Sequence, residues 1–258
     1  RETVAIAGDY DVDGVAAAAL LVHLFRFLQA PDPVVLLPHR IRDGFGLTPQ
    51  LVERAHAAGA TLLITVDNGI TAVEAVARAT ALGIGVIITD HHSPTGPLPA
   101  GMVALIDPAL PDEPYPFDRL AGAGVVWKLA DALLEALAAT GEVDTAARAQ
   151  FGKWNLDLVA LATIADVVDL VGENRVLVHY GLQALASTRK PGLRQLCAQA
   201  QVEMANAEAV AFRLGPRLNA AGRLEDARLA FELLTTGDEA VAVSLAERLE
   251  ALNRERQG

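Results

Sequence analysis

Five short apolar runs alternate with alanine-rich stretches through the first half of this chain, and this alternation limits its fold more than anything else. The runs span 4–8, 34–38, 62–67, 86–90 and 103–107. Each is too short for a helix and too continuously apolar for a sheet with one face in water. The intervening stretches 14–29, 49–58 and 71–82 have helical spacing and good helix formers. This pattern predicts βαβ units, hence an α/β fold with a five-stranded, mainly parallel sheet covered by helices. Ligands of such sheets sit beyond the carboxyl ends of the strands. There Asp67, Asp90 and Asp107 close three of the runs, and Asp9 directly follows a fourth.

From residue 120 onward the pattern is helical, with stretches predicted at 125–139, 156–168, 174–187, 191–200, 224–235 and 238–256. Four prolines mark 108–117 as a surface loop. Pro191 fits a helix start and Asp238 an N-cap. We therefore expect a sheet half over 1–118, a helical remainder of the same domain over 119–236, and the start of a connecting helix over 237–258. The 258 residues, 52% hydrophobic, suffice for a sizeable core. One cysteine, Cys197, excludes a disulfide scaffold and a cysteine metal cluster, and suits a cytoplasmic location. No run is long enough for a membrane span and no secretory leader opens the chain. It begins in a strand pattern and stops in a helical one, so we expect a piece of a longer protein.

Net charge is −11, which rules out a uniformly basic coat for nucleic acid but not a local basic groove. Residues 1–188 hold twice as many acidic as basic residues, whereas 189–258 are balanced. The acidity therefore lies with the expected sheet.

Asp9-Tyr10-Asp11-Val12-Asp13-Gly14 places three carboxylates at alternate positions after the first run. Alone it reads equally well as a solvated acidic turn or a helix cap. The absence of an acid at the twelfth position, where Leu20 stands, excludes a calcium loop. Asp67-Asn68-Gly69 and Asp90-His91-His92 follow two further runs, and Asp166 lies in an apolar stretch where an unpaired carboxylate is costly to bury. A lone Asp here is ordinarily a cap and a lone His a packed side chain. Converging, Asp9, Asp11, Asp13, Asp67 and Asp166 would repel one another unless hard divalent cations held them, with His91 as an imidazole ligand beside them. A two-metal phosphoryl-transfer site is the reading this supports. Asp90 would orient an imidazole, and His92 would face a phosphate or leaving group.

These motifs resemble, in order and spacing, the four signatures of the DHH-superfamily phosphoesterases, the last being Ala165-Asp166-Val167-Val168. Two more stretches resemble the RecJ-type exonucleases. One is Pro38-His39-Arg40-Ile41-Arg42-Asp43-Gly44-Phe45-Gly46-Leu47, the other Gly215-Pro216-Arg217-Leu218-Asn219-Ala220-Ala221-Gly222-Arg223. The resemblance covers essentially the whole chain. It implies a 5′→3′ exonuclease on single-stranded DNA that releases 5′ mononucleotides with two Mn²⁺ or Mg²⁺ ions, in DNA repair and recombination. It makes Asp11, Asp13, Asp67, His91 and Asp166 the metal ligands, Asp9 a further ligand or support, and Asp67 and His92 catalytic. Asp90 and Asn68 would support them. The pyrophosphatase branch has a His where Ala7 stands, which counts against that branch.

Arg40, Arg42, Arg217 and Arg223 are candidates for phosphate contacts because the guanidinium fork bonds two oxygens at once; pairing with acidic neighbours is the plainer role. Asn219 joins them through its motif. Phe45 is the best base-stacking candidate, with Tyr10 and Trp154 read as packing residues. Gly44, Gly46, Gly215 and Gly222 would let backbone approach substrate, and Gly122-Ala123-Gly124 could offer amides to a phosphate. The glycine- and histidine-rich associated domain and the oligonucleotide-binding domain of the RecJ type have no counterpart here. Repair-protein partners would act through such domains, and the chain is expected to be monomeric. Two alternatives share the site: a DHH phosphodiesterase on short oligoribonucleotides or cyclic dinucleotides, and a non-catalytic binding module.

Overall fold

A computed structural model describes residues 2–40 and 42–257. Ile41, within the Pro38-to-Leu47 motif, lies outside the described residues, as do Arg1 and Gly258. The strands are β1 (Val4–Gly8), β2 (Val34–Leu36), β3 (Leu62–Val66), β4 (Gly85–Thr89) and β5 (Ala104–Ile106). They form one sheet in the order β2-β1-β3-β4-β5, and every neighbouring pair is parallel. All five fall within a few residues of the predicted runs.

The twofold repeat of a strand divides the core. Ile6, Ile64 and Val66 point into one apolar cluster, with residues of α1 (Val12–Phe27), α4 (Gly122–Ala139) and α5 (Thr145–Ala165). Ala5, Ala7, Leu63, Val86 and Ile88 point into the other, with α2 (Pro49–Ala57) and α3 (Val73–Ala81). Helices cover both faces, which is why the strands read as continuous apolar runs. Helix α1 is buried along nearly its whole length, and its Ala16-to-Ala19 run lets neighbouring helices approach closely.

The remainder is helical: α6 (Gly172–Ala186), α7 (Pro191–Gln199), α8 (Ala207–Ala209), a π-helical turn (Val210–Leu214), α9 (Gly215–Leu224), α10 (Arg228–Thr235) and α11 (Glu239–Gln257). Asp238 accepts from the amides of Ala240 and Val241, the expected cap of α11. Helix α5 starts at Thr145 rather than at 156, because Asp144 caps it by accepting from the Ala147 amide. The polar, glycine-interrupted residues of its first turns hid it from the periodicity. Helix α9 was also unforeseen; it continues directly from the π-helical turn, with Pro216 in its first turn. Two glycine expectations change with it. Gly215 and Gly222 are buried in helix packing, not set against substrate: a Cβ on Gly222 would lie 2.5 Å from the Tyr10 carbonyl oxygen. The predicted helix at 224 begins instead at Arg228. Among the described residues no helix is long and apolar enough to cross a membrane.

Candidate metal centre

Strand register assembles the acids. Gly8 pairs with Val66, Val66 with Thr89, and Thr89 with Ile106. The next residue on each strand is an aspartate, so Asp9, Asp67, Asp90 and Asp107 emerge along one edge. With β2 on one side of β1 and β3 on the other, the connections diverge between β1 and β3 and open a crevice there. Asp11 caps α1, its Oδ1 accepting from the amides of Asp13 at 3.0 Å and Gly14 at 3.1 Å. Gly14 is required because a Cβ would fall 2.4 Å from the Asp9 nitrogen. Asp13, in the first turn of α1, meets the N-terminus of α4: its Oδ2 accepts from the Gly122 amide at 2.6 Å and its Oδ1 from Ala123 at 2.7 Å. These amides, anticipated for a phosphate, thus hold a carboxylate of the chain itself. Gly122 also lets α4 approach Asp67, since a Cβ there would lie 2.7 Å from the Asp67 Cβ.

Asp67 adopts left-handed backbone, φ +62°. Its Oδ1 lies 3.0 Å from Nε2 of His91, which is also 3.6 Å from Asp13 Oδ2 and 3.7 Å from Asp166 Oδ2. His91 Nε2 and Asp67 Oδ1 are both buried without a hydrogen-bond partner. Adjacent donors on an octahedral ion at ~2.1 Å stand roughly 3 Å apart, so this convergence fits a divalent cation. Asp67, His91 and His92 offer ligand atoms within 4.8 Å of one another, as do Asp13, His91 and Asp166. His91 belongs to both groups. Asp9 and Asp11 fall outside them but add negative charge.

Burial, then the neighbouring carboxylates, push Asp13 and Asp67 well above the ordinary carboxylate range. Burial raises Asp9 and Asp166 to about 6 and lowers His91, which also feels His92, to about 4. The cluster thus resists ionising without a counter-cation. His92 behaves oppositely: the hydrogen bond between its Nδ1 and Asp90 Oδ1, 2.8 Å long, raises it to about 9. Burial works to raise Asp90, but His92 and the amides of Ile70 and His91 outweigh it and hold the carboxyl below its ordinary value. Asn68 donates to the carbonyls of Ala7 and Val66, joining β1 to β3, and its Oδ1 is buried without a partner.

Phe45 is 79% exposed between Gly44 and Gly46, both in left-handed backbone. Gly46 leans on Asn68, so this loop stands beside the metal centre. Arg40 is exposed and lies 5.8 Å from the Tyr10 ring centre. Arg42 and Arg223 are exposed. Arg217 is engaged within the fold: its Nε donates to Glu250 at 2.6 Å and its Nη1 to the Arg213 carbonyl, tying α9 to α11. Asn219 Oδ1 accepts from the Val12 amide, tying α9 to the start of α1. Two features escaped the sequence reading. The Gly122–Ala123 amides anchor Asp13, for which a glycine-rich helix start was the available signal. Asp107, seen only as a strand terminus, is buried with Oδ2 unpartnered and is raised to about 6 by burial.

The family model for the N-terminal domain of the DHH family matches residues 3–163. Single-stranded-DNA-specific exonuclease RecJ of Escherichia coli is 42% identical over 263 residues, covering 98% of this chain and 44% of that protein. RecJ of Bacillus subtilis is 41% identical over 259 residues, covering 100% of this chain and 31% of its own length. The chain thus spans less than half the length of these relatives. Among solved structures, exonuclease RecJ bound to manganese superposes with a TM-score of 0.87 at 38% identity, covering 99% of this chain and 62% of that one. RecJ from Thermus thermophilus in complex with Mn²⁺ gives 0.82 at 36% identity, over 99% of this chain and 35% of that one. This chain belongs to the DHH family and corresponds to the DHH portion of the RecJ exonucleases.

Proposed function

We propose that the chain is the catalytic core of a metal-dependent 5′→3′ exonuclease that releases 5′ mononucleotides from single-stranded DNA, in DNA repair and recombination. The observation that carries this reading is the pair of buried, unpartnered atoms at the sheet edge, His91 Nε2 and Asp67 Oδ1, surrounded by further carboxylates. The relatives named as single-stranded-DNA exonucleases, and their structures with Mn²⁺ or Mg²⁺, support the substrate and the ions. Asp11, Asp13, Asp67, His91 and Asp166 would hold two such cations, with Asp9 beside them. When bound, the ions supply positive charge at the phosphate and a water acidified for attack.

The chain's own groups do the rest. The Gly122 and Ala123 amides fix Asp13, and Asp90 fixes both histidine backbones and the His92 ring. The hydrogen bond between Nδ1 and Asp90 favours the protonated form of His92. That form can donate a hydrogen bond or proton to a phosphate oxygen or the departing oxygen. Arg40, Arg42 and Arg223 would meet backbone phosphates and Phe45 a base; Arg217 and Asn219 position α9 beside them. We place the protein in the cytoplasm as a monomer, with repair-protein partners meeting other parts of a longer protein.

Digestion of single-stranded DNA labelled at either end tests this. Mononucleotides should leave from the 5′ end with Mn²⁺ or Mg²⁺, and none with chelator. Release from the 3′ end, or cleavage confined to dinucleotides, would overturn the assignment; DNA binding without metal-dependent cleavage would favour a non-catalytic module.

A further inference from the structure

A helix closes most readily when the residue after its C-cap takes left-handed backbone, and glycine does so without a Cβ clash. Gly59, Gly83 and Gly141 do this after α2, α3 and α4, with φ of +78°, +74° and +79°. After α1 and α7 the position holds unbranched Gln29 and Gln201, φ +54° and +53°. After α5 it holds Val167, φ +61°. For a β-branched residue that conformation is an outlier. Packing does not explain the choice, because Val167 is 85% exposed.

Its location does suggest a reason. Val167 follows Asp166, whose Oδ2 lies 3.7 Å from His91 Nε2. Leu170 and Val171 beyond it are also exposed. The segment is held in place: Arg119 Nη1 donates to Asp169 at 2.7 Å, and buried Asn174 donates to the carbonyls of Arg119 and Asp169. Three exposed apolar side chains therefore stand on an anchored segment that begins directly after Asp166 of the metal centre. A nucleotide has two kinds of surface, a charged phosphate for the cations and an apolar sugar and base edge that they cannot hold.

We propose that Val167 is a substrate-positioning residue. With Leu170 and Val171 it supports the sugar and base of the nucleotide whose phosphate sits at the metal centre. This deepens, and rests on, the nuclease reading above.

The test substitutes Val167→Asn and Val167→Gly, both compatible with left-handed backbone. Two activities are followed with Mn²⁺: hydrolysis of a single-stranded oligonucleotide, and of methyl p-nitrophenyl phosphate, which lacks sugar and base. Binding of a fluorescent oligonucleotide and the melting temperature are measured in parallel. KM and Kd for DNA should rise about fivefold through the lost apolar contact, well beyond any change on the small diester. The melting temperature should hold or rise as the strain is relieved. Unchanged DNA kinetics would overturn the proposal. So would equal losses on both substrates, which would mean that Val167 acts only by placing Asp166. If the unsubstituted chain binds DNA but does not cut it, the nuclease reading fails, while weaker binding by the variants still upholds the apolar contact. If it neither binds nor cuts, both readings fall.

Discussion

Asp67 shows how a single residue is held in a state it would not choose alone. It is buried, adopts φ +62°, and faces the His91 imidazole, which burial keeps uncharged at neutral pH. The motif made Asp67 legible in the sequence; its left-handed backbone was not, because Asp adopts that conformation only occasionally and its neighbours do not dictate it. A carboxylate whose folded pKa is raised gives stability below its unfolded value and loses it as pH rises through the folded one. In chelator at pH 7–8, Asp67→Asn should therefore melt a few degrees higher than wild type, with about 1 kcal/mol corresponding to about 2–4 °C. Asn tolerates the backbone, and its amide can donate to His91. The same variant should lose most of the melting-temperature gain on adding Mn²⁺. A lower melting temperature in chelator would show that Asp67 is not the repelled group inferred here. His92 separates from it: His92→Gln should lower kcat by about 10²–10⁴-fold while keeping the Mn²⁺-induced gain. Loss of that gain would make His92 chiefly a ligand.

At the scale of elements, strands were the most legible part, since a parallel strand buried on both faces leaves a short apolar run that little else imitates. The start of α5 and all of α9 were not legible, for opposite reasons. Helix α5 opens on polar residues behind the Asp144 cap, so periodicity failed. Helix α9 carries Gly215, Pro216 and Gly222, a poor helix on propensity, and forms because it is held at both sides: Asn219 bonds the start of α1 and Arg217 bonds α11. The junction of α1 with α10 makes a measurable prediction. His23 is buried there against the Leu234 carbonyl, among Lys190, Asp157 and Arg26, and burial lowers it to about 4. Between pH 6.5 and 4 the unfolded chain binds a proton that the folded His23 refuses, so this histidine withdraws up to about 3 kcal/mol as pH falls. Asp9, Asp107 and Asp166 work the other way in that window, their folded values near 6 favouring the fold as pH falls. Comparing wild type with His23→Gln, whose amide can reach the same carbonyl, isolates the histidine. Urea unfolding should show wild type losing stability relative to the variant as pH drops from 6.5 to 4. Parallel profiles would mean that His23 protonates in place.

Across the whole molecule, a net charge of −11 on a chain read as a DNA-cutting core needs a physical account. Part of it is the metal centre, where two divalent ions would cancel four of the negative charges. The rest is pairing. The balanced helical half was expected to lend arginines to the cleft, yet Arg194, Arg217, Arg228, Arg248 and Arg254 are engaged with Glu239, Glu250, Glu232, Glu225 and Glu250. A composition count could not reveal this, because it records charges without their partners. Among the described residues, Arg40, Arg42 and Arg223 are exposed cations that form no ion pair and lie in motifs bordering the site. If these three carry the phosphate contacts, binding of single-stranded DNA should depend only weakly on salt. Counterion release gives a slope of about −0.7 per phosphate contact, hence about −2 for log K against log salt. Fluorescence anisotropy over a salt series at constant Mn²⁺ measures that slope, and Arg40→Gln should flatten it by a little under one. A wild-type slope of about −5 or steeper would mean that the paired arginines leave their glutamates to meet the DNA, and the helical half would then be a binding surface rather than a support for the metal centre.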